Sequence, residues 1–432
     1  MRALSAYTRS TLTLSPSNTA LIFAVAFALR LAFVLLTVPN VSGGDTLGLL
    51  EYGLMLLRDQ FQFATPIPPL YLLYTGTVQS LFGEGNLLAF RLLNVLWSIA
   101  LVWAVFEAAQ AYFNRRVAVL AAWLIALNPI FIIESGQILT ESVFLPLMIG
   151  ALALHGRATR HGAQMRWQQA ALVGALLGLA SLTRAVALLL PIVFVAHLLW
   201  RYRRRATRLI AALLIAYSAV VLTWTAYNLL RWGVIVIGGG GFTANLYLGA
   251  SEGWCGPQCV DEQLGITAAD QFRNDEIYAQ RALEAILSDP LGYAVRRLIN
   301  LLEATLQPHN TVFFQGESLR ELVLTWWQAD RSLAGIGAVL SGDNFLPKLS
   351  LYIFHIGALL IGLIGMILGM FHWRIFWQVL PLYGVVGYFY ALHLPLTAIP
   401  RYLFPTAALW LIFASAVLAG RAPFEKQDEQ TA

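Results

Sequence analysis

The sequence predicts an all-α polytopic membrane protein, a bundle of about ten transmembrane helices with a mixed loop domain outside the cytoplasm. Three observations carry this. Only 12% of the 432 residues are charged, about half of what a soluble chain carries. Hydrophobic residues make up 58% and mean hydropathy is +0.67. Those residues fall in unbroken blocks of about 20, the length that a helix rising 1.5 Å per residue needs to cross a hydrocarbon core of roughly 30 Å. A soluble enzyme is thereby excluded as the whole answer. A net charge of +5 would suggest nucleic acid in a soluble chain. Here the basic residues stand at the ends of apolar blocks, where they report orientation, and no nucleic-acid partner is expected.

The expected spans are 20–38, 86–113, 117–133, 138–155, 167–182, 185–200, 209–230, 349–370, 376–394 and 402–420. The first is long enough to cross, and no small-residue cleavage site follows a short apolar core, so it reads as a retained helix and not as a signal peptide. Segment 66–82 opens with Pro66-Ile67-Pro68-Pro69 and holds only about a dozen apolar residues, too few for a comfortable span. With that segment at the interface, Arg2 and Arg9, Arg115 and Arg116, Arg157, Arg160 and Arg166, the run Arg201 to Arg208, Arg374, and Arg421 with Lys426 all fall on one side, which must be cytoplasmic. Ten spans with both termini cytoplasmic follow. Letting 66–82 cross would put Arg115 and every later cluster outside.

The chain accordingly divides into a transmembrane module at 1–230 with an outside loop at 40–85, a large outside loop domain at 231–348, C-terminal transmembrane helices at 349–420, and a polar, disordered cytoplasmic tail at 421–432. Within the large loop come a β-branched run from Val234 to Ile237, a glycine cluster at 238–241, a helical stretch at 269–287 stopped by Asp289-Pro290, and a second helical stretch at 291–306. Gly238 to Gly241 is followed by no Gly-Lys-Ser/Thr and is no nucleotide loop. Cys255 and Cys259 lie where a disulfide can persist and would close a small ring over Gly256-Pro257, or else remain two unpaired thiols. No nearby histidine completes a metal site with them. Gly174-x-x-x-Gly178 and Gly365-x-x-x-Gly369 predict close helix packing.

Ionisable residues at the outer ends of spans are where chemistry is expected. Arg30 lies inside the first span, while Arg91, Arg184 and Arg401 sit near the outer leaflet, against the positive-inside trend. A lipid-linked phosphate suits them, since a guanidinium offers a planar fork of donors; snorkelling to headgroups or pairing with a carboxylate is the plainer reading. Asp45, in Ser42-Gly43-Gly44-Asp45-Thr46, is a helix N-cap or a general base at the membrane surface. Glu51, six positions on, would not share its helical face. Glu141 opens the fourth span as a cap or as a site residue, and His309, in Gln307-Pro308-His309-Asn310, is the outside-facing histidine candidate.

The order of these motifs resembles the GT-C polytopic glycosyltransferases, in the bacterial branch related to protein O-mannosyltransferases and to the aminoarabinose transferase of lipid A. The likeness runs through Gly44-Asp45-Thr46 with Tyr52, Pro68-Pro69-Leu70-Tyr71, Arg91-Leu92-Leu93-Asn94 and Leu139-Thr140-Glu141. It continues through Leu179-Ala180-Ser181-Leu182-Thr183-Arg184, Tyr227-Asn228, Gly240-Gly241 with Asn245-Leu246 and Gly249, Asp289-Pro290, and Arg401-Tyr402-Leu403 with Pro405. It implies transfer of a sugar from a polyprenyl-phosphate donor outside the cytoplasm of the inner membrane, with inversion, to a glycolipid, polysaccharide or protein acceptor. Asp45 matches the family's catalytic acidic position. Glu51, Tyr52, Tyr71, Arg91, Glu141, Arg184, His309, Arg401 and Tyr402 are the expected substrate-binding set. Family members often carry Asp-Glu at the first position; this chain has Asp45-Thr46, a single carboxylate, so the resemblance makes no cofactor certain, and a divalent cation stays open without being indicated. A transporter or flippase of a lipid-linked anion would use the same arginines, but it would need polar residues through mid-membrane. Only Arg30 and Glu107 lie there. A membrane scaffold would leave Asp45 and the arginines unexplained.

Overall fold

The computed structural model describes residues 16–38, 45–61, 64–65, 67–160, 163–251, 275–314, 316–329 and 331–420. The expectations for Arg2 and Arg9, the Ser42–Gly44 turn, Pro66, the Cys255 and Cys259 ring, and the tail with Arg421 and Lys426 lie outside those residues.

The chain is a multi-pass membrane protein built from α-helices, with no strand among the described residues. In order these are α1 (Pro16–Leu36), α2 (Asp45–Leu57), α3 (Pro69–Phe82), α4 (Leu87–Tyr112), α5 (Arg115–Leu127), α6 (Pro129–Glu134), α7 (Glu141–Thr159), α8 (Trp167–Thr183), α9 (Pro191–Tyr202) and α10 (Thr207–Trp232). Then come α11 (Phe242–Ala250), α12 (Asp275–Ser288), α13 (Pro290–Leu306), α14 (Leu319–Ala329), α15 (Leu333–Leu340), α16 (Phe345–Phe371), α17 (Trp373–His393), α18 (Pro400–Leu403) and α19 (Ala407–Leu418).

Seven segments are long and apolar enough to cross a membrane, and each of the ten expected spans is helical. One of the seven, Ala185–Trp232, contains two expected spans, divided at Arg203, whose φ of 49° interrupts the helix between α9 and α10. Of the others, 167–182 forms the 17-residue α8. Segment 66–82 forms the 14-residue α3, too short to cross.

Expected span 117–133 is broken in two, and the break explains the buried Arg30. Pro129 has no N–H to give Ile125, and the Ile130 N–H turns to the Asn128 side chain at 2.9 Å, so the carbonyls of Ile125 and Ala126 lose their helical partners. Arg30 supplies them: Nη2 reaches Ile125 O and Nη1 reaches Ala126 O, each at 3.0 Å, while Nε donates to Ser98 Oγ at 2.6 Å. A mid-membrane guanidinium thus repairs a proline break. Glu107, the other mid-span charge, pairs with Arg157.

Both Gly-x-x-x-Gly pairs lie where helices touch. A Cβ on Gly174 would collide with the Leu213 carbonyl of α10, and one on Gly365 with the Phe413 carbonyl of α19.

The large loop departs from the mixed structure expected of it. Val234 to Ile237 forms no strand with any of the described residues; the Thr225 hydroxyl donates to the Val236 carbonyl at 2.7 Å. Of the first helical stretch, 275–287 forms in α12 and 269–274 lies outside the described residues; the second stretch forms as α13. Asp289 caps α13 by accepting from the Gly292 N–H at 2.9 Å, and that bond, together with Arg296, holds its carboxyl below the usual range.

Candidate functional site

Four charged residues separated widely in sequence meet at one end of the bundle. Each stands at a helix terminus, so no span has to carry a charge through its middle. Asp45 is the first residue of α2, Glu141 the first of α7, Arg184 follows the last residue of α8, and Arg401 is the second residue of α18. Arg401 grips Glu141 with two prongs, Nε to Oε1 at 2.5 Å and Nη2 to Oε2 at 3.0 Å, and its third nitrogen donates to Asp45 Oδ2. Arg184 donates to Glu141 Oε1 and, at 3.0 Å, to the Thr140 hydroxyl, which itself donates to Glu141 Oε2 at 3.1 Å.

Burial separates the two carboxylates. The Glu141 side chain is 0% exposed and every lone pair that matters is taken, whereas Asp45 is 61% exposed. Glu141 offsets one of the two guanidinium charges; the remaining positive charge has Asp45 as its exposed counter-ion. The chemistry of such a centre suits an anion in the place of Asp45, and of the two carboxylates Asp45 alone is open to solvent. Between the two carboxylates lies the Arg401 guanidinium. Among the described residues no three His, Cys, Asp or Glu side chains converge as metal ligands would.

Arg401 is placed by the connection that precedes it. Tyr293 and Asn300 of α13 bind Pro395 O at 2.6 Å and the Ala398 N–H at 2.9 Å, and the Thr397 N–H donates to the Asn245 carbonyl of α11 at 3.3 Å. Pro400 then starts α18 with its missing N–H at a position that needs none.

The remaining expected residues divide. Tyr402 stays with the cluster and stacks on His393, ring centroids 5.2 Å apart at 20°. Tyr71 is fully buried beside Ser142, within reach of the Glu141 charge, and burial pushes its hydroxyl well above the ordinary range. Tyr52 packs on Phe61, 6.0 Å between centroids. Glu51 is exposed on α2 and joins no ion pair among the described residues. Arg91 is occupied elsewhere: its three nitrogens bond Gly136 O, Val34 O and both oxygens of Thr37, pinning the end of α1 to the turn before α7. His309 sits 3.0 Å from Glu134, which also accepts from Asn310, and its ring lies against Phe404, so it braces the Arg401 segment from behind. Thr140, Glu134 and His393 are not among the residues that the sequence marks for binding. The first two flank the Glu141 motif, whereas His393, inside Ala391-Leu392-His393-Leu394, carries no sequence signal.

The family described as dolichyl-phosphate-mannose-protein mannosyltransferase matches residues 67–228. No curated protein matches the sequence. Among solved structures, the Archaeoglobus fulgidus oligosaccharyltransferase in its apo form is similar with a TM-score of 0.52 at 14% identity, over 92% of this chain and 50% of that one. The archaeal oligosaccharyltransferase AglB from Archaeoglobus fulgidus, in complex with an inhibitory peptide and a dolichol-phosphate, gives the same four values. The form of that oligosaccharyltransferase in complex with Zn and sulfate gives 0.52 and 14%, over 93% and 49%. The chain therefore spans about half the length of these proteins. Seven membrane-crossing segments among the described residues, a charged centre at one end of the bundle and these likenesses together give the chain the GT-C fold of membrane glycosyltransferases.

Proposed function

We propose that the protein is an inverting membrane glycosyltransferase that takes a sugar from a polyprenyl-phosphate donor and passes it to an acceptor on the extracytoplasmic face of the inner membrane. The observation that carries the reading is the exposed Asp45 carboxylate joined through Arg401 to the buried Glu141 and Arg184. The donor phosphate takes the place of Asp45 on Arg401. Asp45, released, accepts the proton of the acceptor hydroxyl as its oxygen attacks the anomeric carbon. The bond from that carbon to the phosphate oxygen breaks, and the polyprenyl phosphate leaves with the electron pair, its growing charge opposed by Arg184 and Arg401. Glu141 holds both arginines in place and takes no proton.

The matching family's mannosyl-phosphate donor and the dolichol-phosphate bound by AglB support a lipid-phosphate donor here. The peptide bound by AglB and the protein named in the family description favour a protein acceptor over a glycolipid or a polysaccharide. The test is sugar transfer by the purified protein in nanodiscs with a polyprenyl-phosphate sugar, comparing wild type with Asp45→Asn. Wild-type transfer that the variant lacks supports the reading; equal transfer by both removes Asp45 as the base.

A further inference from the structure

Helix α13 is amphipathic in the reverse sense of a soluble helix, which turns its apolar stripe to the core and its polar face to water. Leu291, Val295, Leu298, Ile299, Leu302 and Leu306 are each half or more exposed, whereas every polar residue of the helix is partly covered. The covered side does the holding. Tyr293 donates to Pro395 O at 2.6 Å, Arg297 Nη1 reaches Leu396 O at 3.4 Å, and Asn300 Oδ1 accepts from the Ala398 N–H at 2.9 Å. Arg296 and Glu303 turn aside to Asp289 and Arg320. A continuous apolar stripe left in water is what a folded soluble surface avoids.

The depth of α13 follows from its neighbours in the bundle. Its first half is tied to Pro395, two residues beyond the end of α17 at His393, and in its second half Leu301 and Ala304 share a packed cluster with Tyr390, three residues inside that end. From Tyr293 to Ala304 the helix advances ~17 Å, while the way from Pro395 back to Tyr390 changes depth by about 8 Å. The helix therefore runs closer to the plane of the membrane than to its normal. Its last turn meets a span: the His355 ring N–H donates to the Thr305 carbonyl at 2.7 Å, and Ile353 and Phe354, beside His355 on α16, are exposed. Exposed apolar side chains on a membrane-crossing helix face acyl chains. The stripe on α13 thus continues a lipid-facing surface, and that continuity singles out lipid over a second copy of the chain or an acceptor.

We propose that α13 is an interfacial helix that lies along the membrane at the charge-centre end of the bundle, with its apolar stripe on the acyl chains of the bilayer. Helices of this kind sink their apolar face about 5–10 Å into the boundary between headgroups and chains. Tyr390, just inside the end of α17, marks that depth. The contact is with bulk lipid and holds whatever the chemistry at Asp45. Its place in the molecule is specific all the same, because the opposite face of the helix carries the connection that leads into Arg401.

The experiment places a nitroxide on a single cysteine, Val295→Cys, Leu298→Cys or Leu302→Cys, in the full-length protein with Cys255 and Cys259 replaced by serine, reconstituted in phosphatidylcholine nanodiscs. Power saturation then compares collisions with oxygen, which concentrates in lipid, and with a nickel chelate, which stays in water. Oxygen is expected to exceed nickel at all three positions. Val295 and Leu302 should also report similar depths, where a helix along the membrane normal would separate them by ~10 Å. An excess of nickel at the stripe overturns the proposal, as does the full ~10 Å separation. Shielding from both reagents overturns it too, since protein then covers the stripe. A fall in oxygen collisions on adding sugar-free polyprenyl monophosphate overturns the assignment to bulk lipid in favour of the donor's own chain. If the serine background does not fold, benzoylphenylalanine in place of Leu298 in the otherwise native chain decides the question: light should give adducts with phospholipid, and adducts with protein overturn the proposal.

Discussion

Arg401 and Glu141, 260 positions apart in the chain, meet in a two-pronged bond, Nε to Oε1 at 2.5 Å and Nη2 to Oε2 at 3.0 Å, with the carboxylate fully buried. Arg401→Lys keeps the charge and loses the fork. Lysine is expected to support weaker donor binding than arginine and stronger than alanine. Arg401→Ala should also destabilise the protein, by less than the ~3–5 kcal/mol of a wholly orphaned buried ion, because Arg184 still faces Glu141. Donor titration and thermal unfolding of the three proteins check both statements; unchanged binding by the alanine variant would leave Arg401 a structural strut.

Asp45→Asn separates catalysis from binding. Turnover at saturating donor should fall by ~10²–10⁴-fold, the usual loss of a general base. Binding of polyprenyl phosphate should be at least as tight as in wild type, since a neutral side chain no longer competes for Arg401. Stability should change by well under ~1 kcal/mol, Asn and Asp being comparable at helix starts. Weaker binding in this variant would contradict the displacement of Asp45 by phosphate.

Arg30→Met should destabilise the protein by ~1–3 kcal/mol for each carbonyl, Ile125 and Ala126, left without a donor. Pro129→Ala returns an N–H to the helix and should recover part of that loss. A double variant no more stable than Arg30→Met in detergent melting would show that the guanidinium is not there to repair the break.

A cysteine at Gly85 in whole cells should react with an impermeant thiol reagent, and one at Arg115 should not, if α3 lies at the interface and the chain crosses ten times. Labelling at Arg115 would overturn that count.

The sequence disclosed the spans because crossing a membrane forces about 20 apolar residues together. It also disclosed Asp45, Glu141, Arg184 and Arg401, because a charge at the outer end of a span is costly enough to stand out. Their meeting was not legible: pairing across such separations depends on how α7, α8 and α18 pack, and no local pattern encodes it. Arg91 shows the limit. Its signal equals that of Arg184, yet it lies beside the free carbonyls at the end of α1 and is used up there. Segment 117–133 reads as one apolar run, and only Pro129 hints at the break that Arg30 fills. His393, one polar residue in an apolar block, gave no hint at all.

The six residues between α17 and α18 form a strap whose fixings, Asn245, Tyr293 and Asn300, belong to the large loop and not to the helices that cross the bilayer. Arg401 hangs from its end. Any shift of α13 is thus passed along the strap to the guanidinium that holds Asp45, as along a lever whose short arm is the charge centre.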